Sequence, residues 1–502
     1  MIEYDALTRN FICDFTDAPS GVYKRKVNDK WLIPEMYASN MQAQHIKEEL
    51  TSINNEELLS NSVSVVPEEY QIIGAKWLLK SGRNLGDAMG LGKTLQSIIA
   101  ACQENKGIII VCPAYLIGNW MREIKTALSY LNQERIVRKA DGKNLLYTDR
   151  GFEFLWPKRN EIIVMSYNQI PPAVLKNKFY KFVSSGPTNP VIIIADEAHF
   201  IRKASAQRSL AFRMLGKAAK NKNGSRIWLL TGTPILDRPV DIWSLCQALN
   251  FRANHIFGSW DDFVFGFGGE KIEDTLWGGY RWGEPNRAVV EKLKKYILKR
   301  TKKEVLPDLP SKTIRRYFVK TKSFIPPDKL YTDNLDAYLG DGEITNIRMA
   351  QSYEKFLETE ELINSYESIE VPLVVFSAFT RPVIELGKRP GWKSIYGKIP
   401  MSERSVIIDD FQSGKIKYLA GTIECLGTGH TLTAASNAIF LDLDWTPAKN
   451  WQAEDRFLRI GTKNAVNIIQ VVGSDISEKR VNDIINKKIK LIGDFERCLD
   501  DA

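Results

Sequence analysis

Residues 85–96 read Leu85-Gly86-Asp87-Ala88-Met89-Gly90-Leu91-Gly92-Lys93-Thr94-Leu95-Gln96. A Gly-rich turn that runs into Lys-Thr at a helix start is suited to holding a nucleoside triphosphate. Backbone N–H groups freed around Gly90 and Gly92 wrap a β-phosphate, Lys93 neutralises charge toward the β- and γ-phosphates, and Thr94 places a hydroxyl on Mg²⁺. Asp87 stands where the usual phosphate-loop pattern has Gly or Ala. Asp87, Gly90, Gly92, Lys93 and Thr94 are therefore the expected nucleotide-binding residues of the loop, with ATP and Mg²⁺ as the expected cofactors.

About a hundred residues later comes Val191-Ile192-Ile193-Ile194-Ala195-Asp196-Glu197-Ala198-His199. An apolar run of strand length reads as a strand buried on both faces of a parallel sheet, and ligand chemistry in such sheets gathers at the strand C-termini. Asp196 is expected to hold Mg²⁺, partly through water. Glu197 is expected to orient and deprotonate the water that attacks the γ-phosphorus.

These groups need a scaffold that brings strand ends together. Apolar runs at Ile108–Cys112, Ile162–Met165, Val191–Ala195 and Ile227–Leu230 alternate with helical stretches, the pattern of a doubly wound α/β domain. Further strands are predicted at Arg315–Val319, Leu373–Phe376, Tyr418–Thr422, Ala438–Leu443 and Ala465–Val472, with a Lys-rich helix around Ile476–Ile492. The spacing also predicts short strands within Phe11–Phe15 and Gly21–Pro34, a polar helix over Met41–Leu59, and a basic helix around Glu291–Lys303. Residues 251–310 are rich in aromatics and Gly, among them Trp260, Phe263, Phe265, Phe267, Trp277, Tyr280 and Trp282. Such side chains either fill a core or stack on unpaired bases, and both readings stay open.

Tyr70-Gln71, Asp87 to Thr94, Asp196 to His199, Thr231-Gly232-Thr233-Pro234 and Gln452-Ala453-Glu454-Asp455-Arg456-Phe457-Leu458-Arg459-Ile460-Gly461 follow one another in the order of a superfamily-two helicase motor. In detail they resemble the Swi/Snf-type branch. Within it the chain is most similar to the annealing helicases, on Arg238 to Asp241, Trp277 to Asn286 and Ile297 to Pro310. The resemblance covers roughly residues 66 to 490. It implies an α/β fold of two RecA-like doubly wound parallel-sheet lobes, spanning 66–310 and 311–502, after a small N-terminal accessory domain at 1–65. The Lys24 to Trp31 segment faintly resembles the substrate-recognition module that precedes the motor in annealing helicases, and a simple N-terminal extension that packs on the motor is the alternative reading.

The resemblance also implies roles. Gln71 is expected to read adenine. Arg456 and Arg459, on one helix face and supplied across a cleft, are expected to stabilise γ-phosphate charge when the cleft closes. Lys93, Asp196, Glu197, Arg456 and Arg459 form the expected catalytic set. His199 and the Thr231 to Thr233 segment are expected to relay the nucleotide state to the DNA groove, while Gln452, Pro113, Ser166, Tyr167 and Ser377 are expected to couple the motifs or contact DNA. Departures from the family pattern are Ala88 for Glu, Leu458 for His, Thr462 for Gln, and the loop Gly427 to Thr431.

The 502 residues exceed one compact core. A formal charge of +9, from 69 basic and 60 acidic residues, favours a polyanionic partner. The basic runs Lys24 to Lys26, Lys292 to Lys303, Arg315-Arg316 and Lys487 to Lys490 concentrate it. No apolar stretch reaches membrane-spanning length and the six cysteines show no Cys-x-x-Cys pairing, so membrane and zinc partners are not expected. The expected partner is duplex or branched DNA in an intracellular setting. The expected activity is a DNA-dependent ATPase and helicase acting on branched DNA. Its alternatives are a translocase that remodels DNA-bound proteins and a catalytically weak DNA-binding recruitment protein.

Overall fold

The computed structural model describes the backbone of residues 2–5, 10–14, 25–27 and 30–34. Beyond these it describes residues 67–80, 84–140, 156–170, 186–220, 222–232, 239–249, 254–272, 279–322, 341–427, 431–459, 462, 464–475 and a few between 478 and 493. The helix expected over Met41–Leu59 lies outside the described residues.

Near the N-terminus β1 (Ile2–Asp5), β2 (Asn10–Asp14), β3 (Arg25–Val27) and β4 (Lys30–Pro34) form an antiparallel sheet in the order β1-β2-β4-β3. Its β3 edge lies against the helix Ile117–Leu131.

The first large sheet is parallel throughout. It contains β5 (Asn84–Leu85), β6 (Gly107–Cys112), β7 (Ile136–Lys139), β8 (Glu161–Ser166), β9 (Val191–Asp196), β10 (Arg226–Leu230) and, beyond the β11 (Glu270–Ile272) and β12 (Gly279–Arg281) hairpin, β13 (Ile297–Leu298). The order is β13-β5-β10-β9-β6-β8-β7. β6, β8 and β9 are buried along their whole length, which their unbroken apolar runs require. Alternate residues feed opposite faces. Ile108, Ile110, Ile192 and Ile194 pack under the helices Glu69–Lys80, Lys93–Cys102 and Ile117–Leu131; Ile109, Val111, Ile193 and Ala195 pack under Gln207–Lys220.

Register then aligns the strand ends. Leu85 of β5 pairs with Leu230 of β10, and Leu230 pairs with Asp196 of β9. The phosphate loop, Thr231-Gly232 and Asp196-Glu197 consequently leave the sheet at one edge.

The expected basic helix is divided. Arg287–Lys294 is helical, Ile297-Leu298 joins the sheet beside β5, and a short helix restarts at Lys302–Val305. Thr301 explains the restart: its hydroxyl caps Glu304 N–H while the Glu304 carboxylate receives Thr301 N–H, a capping box that competes with helix continuation. Most of the aromatic stretch is core. Phe257, Phe263 and Phe267 are almost wholly buried with Trp243, and ring centroids of Phe263 and Phe267 lie 4.6 Å apart. Phe265 is exposed, and Trp277 lies outside the described residues.

The second sheet, also parallel, contains β14 (Lys312–Val319), β15 (Leu373–Ser377), β16 (Trp392–Ile395), β17 (Tyr418–Thr422), β18 (Asn437–Phe440) and β19 (Val466–Gly473) in the order β14-β19-β18-β15-β17-β16. The described residues between 478 and 493 are helical. No helix of the described residues is long and apolar enough to cross a membrane.

A buried ion cluster braces this sheet. Lys355 Nζ, on the helix Asp341–Glu358, lies 2.9 Å from Asp442 Oδ1 and 3.0 Å from Glu478 Oε1. Ser352 and Ser377 hydroxyls occupy the other Asp442 oxygen. Burial alone would lower the Lys355 pKa, but the two carboxylates outweigh it and raise it. Lys355→Ala removes the cation bonded to both acids, leaving only the more distant Arg348 charge, and is expected to cost about 3–5 kcal/mol. Urea denaturation of the purified variant measures this; a loss below about 1 kcal/mol would show that the cluster is dispensable.

Candidate nucleotide-binding cleft between the two lobes

Gly92 adopts φ 69° as the N-cap of the helix Lys93–Cys102, and Gly90 adopts φ 83°. Both values lie in the left-handed region that disfavours side chains. Space forbids them too at Gly92, where a Cβ would fall 2.3 Å from Gln71 Nε2. Gln71 is thus packed directly on the loop. Its amide accepts Glu68 N–H at 3.0 Å and donates to Leu91 O at 3.4 Å.

Lys93 Nζ donates to the carbonyls of Asp87 at 2.6 Å and Ala88 at 3.2 Å. Its enclosure lowers its pKa, opposed by the Glu197, Asp87 and Asp196 carboxylates. Asp87 itself turns inward and has no exposure. Arg300 grips it with two nitrogens, at 2.9 and 2.5 Å, and Gln96 Nε2 adds a third bond at 3.0 Å. The expectation that Asp87 binds nucleotide is corrected for its side chain: the carboxylate is consumed inside the protein, and Asp87 shapes the loop instead.

At the next strand end Asp196 accepts Trp120 Nε1–H at 2.7 Å and Glu197 N–H at 2.9 Å. Tyr167 donates its hydroxyl to Asp196 O at 2.7 Å, with its ring stacked on Phe200. Burial, reinforced by the Glu197 charge, pushes the Asp196 carboxyl up to about 7, against the Trp120 bond and Lys93. Burial also pushes Glu197 upward, but His199, whose Nδ1 stands 3.2 Å away, together with Lys93 and Arg456, holds its pKa below the ordinary value. The adjacent acids are thus tuned in opposite directions.

From the second lobe, Arg456 Nε donates to Gly427 O at 2.8 Å and Arg459 Nη1 donates to Thr431 Oγ1 at 2.9 Å. Burial and the neighbouring Arg456 charge lower the Arg459 pKa to about 9. Both arginines face the phosphate loop. Met89, Gly90, Gly92, Lys93, Thr94, Asp196 and Glu197 line a cavity of about 330 Å³ together with Arg456 and Arg459. Hydroxyl and carboxylate oxygens at Thr94 and Asp196 are the hard donors that Mg²⁺ takes. Among the described residues no cluster of three His, Cys, Asp or Glu side chains could hold a metal unaided, so phosphate and water would complete its shell.

The cavity also contains Tyr115, Leu116, Asn119, Glu123 and Thr431, for which no nucleotide role was expected. Leu116, Asn119 and Glu123 recur at i, i+3 and i+7, so helical periodicity after β6 was the available signal. Burial corrects the expected DNA contacts. Pro113, Ser166, Tyr167, Gln452 and Ser377 are all buried, and Ser377 is committed to Asp442. Their side chains cannot lie on a DNA surface; in the first two loops Ala114 and Asn168 are exposed instead. Trp120 is core, with its indole N–H spent on Asp196. Thr231 is buried beside the loop and its N–H donates to Leu85 O, whereas Thr233 lies outside the described residues.

Residues 70–365 match the SNF2-related domain, and residues 354–461 match the helicase conserved C-terminal domain. The chain belongs to the SNF2-related family. This SNF2-related chain is 26% identical over 453 residues to the SWI/SNF-related matrix-associated actin-dependent regulator of chromatin subfamily A-like protein 1 homolog of Caenorhabditis elegans, covering 84% of this chain and 61% of that protein. It is 27% identical over 452 residues to the DNA annealing helicase and endonuclease ZRANB3 of Bos taurus, covering 83% and 39%. The Sulfolobus solfataricus SWI2/SNF2 ATPase core in complex with dsDNA overlaps 85% of this chain and 92% of that one, at 22% identity and a TM-score of 0.38. The chain spans roughly two-fifths to three-fifths of the length of these curated relatives.

The Arg300 staple yields a direct test. Lys at this position keeps the charge but loses the paired geometry. Arg300→Lys is expected to raise the KM for ATP about tenfold and lower the melting temperature, with Arg300→Ala worse on both counts. Unchanged KM in both variants would show that the phosphate loop holds its shape without the staple.

Proposed function

We propose that this chain is a DNA-dependent ATPase that translocates on duplex or branched DNA and drives branch migration, fork regression or strand annealing. The observation that carries the reading is one cavity shared by Lys93, Thr94, Asp196 and Glu197 of the first lobe and Arg456 and Arg459 of the second. A nucleoside triphosphate is the ligand whose charge suits that set.

In this reading the loop N–H groups and Lys93 hold the β- and γ-phosphates, displacing the Lys93 bonds to Asp87 and Ala88 carbonyls. Thr94 and Asp196 hold Mg²⁺, which when bound supplies electrostatic stabilisation of phosphate charge. Glu197, kept ionised by its cationic neighbours, accepts the proton of the attacking water. Trp120 and Tyr167 fix the Asp196 end of the strand so that Glu197 cannot swing from the γ-phosphorus. Arg456 and Arg459 stabilise charge that develops in the transition state, and they do so only when the lobes are together. His199 links Glu197 to Phe200, a route by which nucleotide state reaches the neighbouring loops.

Action on branched DNA is supported by similarity to a protein named as a DNA annealing helicase, at 27% identity. Displacement of DNA-bound proteins is supported by similarity to regulators of chromatin, at 26%. One comparison separates them: four-way-junction migration against displacement of a protein roadblock from linear duplex, both by the full chain with ATP. Junction migration is expected; roadblock clearance with no junction activity would favour the remodelling translocase.

Lys93→Ala is expected to lower ATP turnover at least about a hundredfold, because the transferred phosphate loses its fixed counter-ion, while DNA binding is retained. Glu197→Gln is expected to bind ATP and fail to turn it over. A filter-binding assay for trapped nucleotide, run beside a phosphate-release assay, checks both; near-parental turnover by either folded variant would refute its assigned role.

A further inference from the structure

Two contacts fasten the arginine-bearing segment of the second lobe, and neither lies in the nucleotide cavity. Lys302 follows the staple residue Arg300 by two positions, and Arg300 O accepts Ala88 N–H of the phosphate loop at 2.9 Å. The start of the short helix Lys302–Val305 is thereby pinned to that loop. From there Lys302 Nζ reaches Asp455 Oδ1 at 2.9 Å and donates to Leu458 O at 2.8 Å. These acceptors flank Arg456 and directly precede Arg459. The pair is largely shielded, with side-chain exposures of 15% and 18%.

The second contact is Trp451, on the helix Pro447–Glu454 that leads into the arginines. It packs on the aromatic cluster of the first lobe built from Trp243, Phe257, Phe263, Phe267 and their neighbours. Two attachments, one before the arginines and one around them, leave the segment little freedom to rotate on the first lobe. Gly90 makes room for the result. A Cβ there would stand 3.5 Å from Lys302 Cε and 3.6 Å from Arg459 Cγ, so both side chains lie over the phosphate loop.

We propose that Lys302 and Trp451 are positioning residues that seat Arg456 and Arg459 over the phosphate loop and so set the rate of ATP hydrolysis without touching nucleotide. The proposal rests on the reading of the two arginines as groups that stabilise phosphate charge. Their guanidiniums must be placed to a fraction of an ångström to act in the transition state, and a misplacement near 1 Å costs on the order of 100-fold. ATP held by the first lobe alone does not need them in register. The signature is therefore a loss in kcat without a matching loss in ATP affinity.

The experiment uses the full chain with saturating duplex DNA, measuring kcat at saturating ATP and binding of a fluorescent non-hydrolysable ATP analogue. Lys302→Met and Trp451→Ala are each expected to lower kcat about 10- to 100-fold with analogue affinity held within about twofold, and Lys302→Arg and Trp451→Phe to recover most of the rate. Should a truncation fail to fold, Asp455→Asn keeps the side-chain size and removes the same ion pair. It is expected to match Lys302→Met, and the double variant to lose nothing further. Parental kcat in folded variants, additive losses in the double variant, or analogue affinity that falls in step with kcat would overturn the proposal. Arg459→Ala separates the two layers. If it turns over ATP at the parental rate, the arginine reading fails and the proposal with it; if it is impaired while the Lys302 and Trp451 variants are not, only the positioning role fails.

Discussion

Asp87 is a carboxylate with no contact with water, set in a loop whose flanking Gly86 and Ala88 N–H groups are bonded to Leu298 O and Arg300 O. A lone buried charge there would be prohibitive, and the single Gln96 bond would not offset it. Arg300 resolves this with a paired donor geometry that no lysine supplies. The same guanidinium donates to Tyr70 O and reaches Gln96 Oε1, so it joins the helix Glu69–Lys80, the phosphate loop and the last strand of the first sheet. Burying such a pair does not by itself stabilise the fold. What it provides is a fixed position for the chain segment that leaves the first lobe, since Arg300 O is also bonded to Ala88 N–H. The Lys302 contact with the second lobe therefore starts from a segment that is bonded to the first lobe.

Parallel sheets explain why so many functional groups converge from distant positions. Every strand in both large sheets runs the same way, so each loop that follows a strand emerges at one edge. The pairings Leu85 with Leu230 and Leu230 with Asp196 place three such loops level with one another. The second sheet repeats the arrangement, with Ser377 level with Thr422, but there Ser377 and Asp442 close on one another around Lys355. One sheet edge opens onto the cavity lined by Lys93, Thr94, Asp196 and Glu197. The other is filled with its own counter-ion and serves as a rigid support.

Strong periodic signals were legible in the sequence. The apolar runs of β6, β8, β9, β10, β15 and β17 were recognisable because a doubly covered strand must be apolar throughout, and the phosphate loop and acidic pair were recognisable from residue type and spacing. Short elements were not. β5 and β13 have two residues each, too few for a period, and β13 sits in a Lys-rich run that reads as helix until Thr301 is seen as a cap. The exposed or mixed strands β7 and β16 carry no continuous apolar signal. Within the site, the Arg300–Asp87 pair spans 213 residues and the Trp120–Asp196 bond spans 76, distances that no local pattern encodes. The buried state of Ser166, Tyr167 and Ser377 was hidden for a related reason: a polar residue after a strand looks alike in sequence whether it faces solvent or completes an internal hydrogen-bond network.

The electrostatics of the cleft bear on how its two halves act together. Arg456 and Arg459 are both withdrawn from water, and their mutual repulsion contributes to the lowered Arg459 pKa of about 9. Glu197 and Asp196 oppose some of that positive charge, while burial, reinforced by the Glu197 charge, pushes the Asp196 carboxyl up to about 7. Each half therefore carries like charges that destabilise one another, and the two halves attract. A triphosphate in the proposed site would relieve the arginine repulsion, while a divalent cation would relieve the carboxylate repulsion. Ligand binding and lobe closure then favour each other through the same charges. Release of inorganic phosphate after hydrolysis would remove the anion that bridges Lys93 to the arginines, so the closed arrangement would weaken without any separate opening signal.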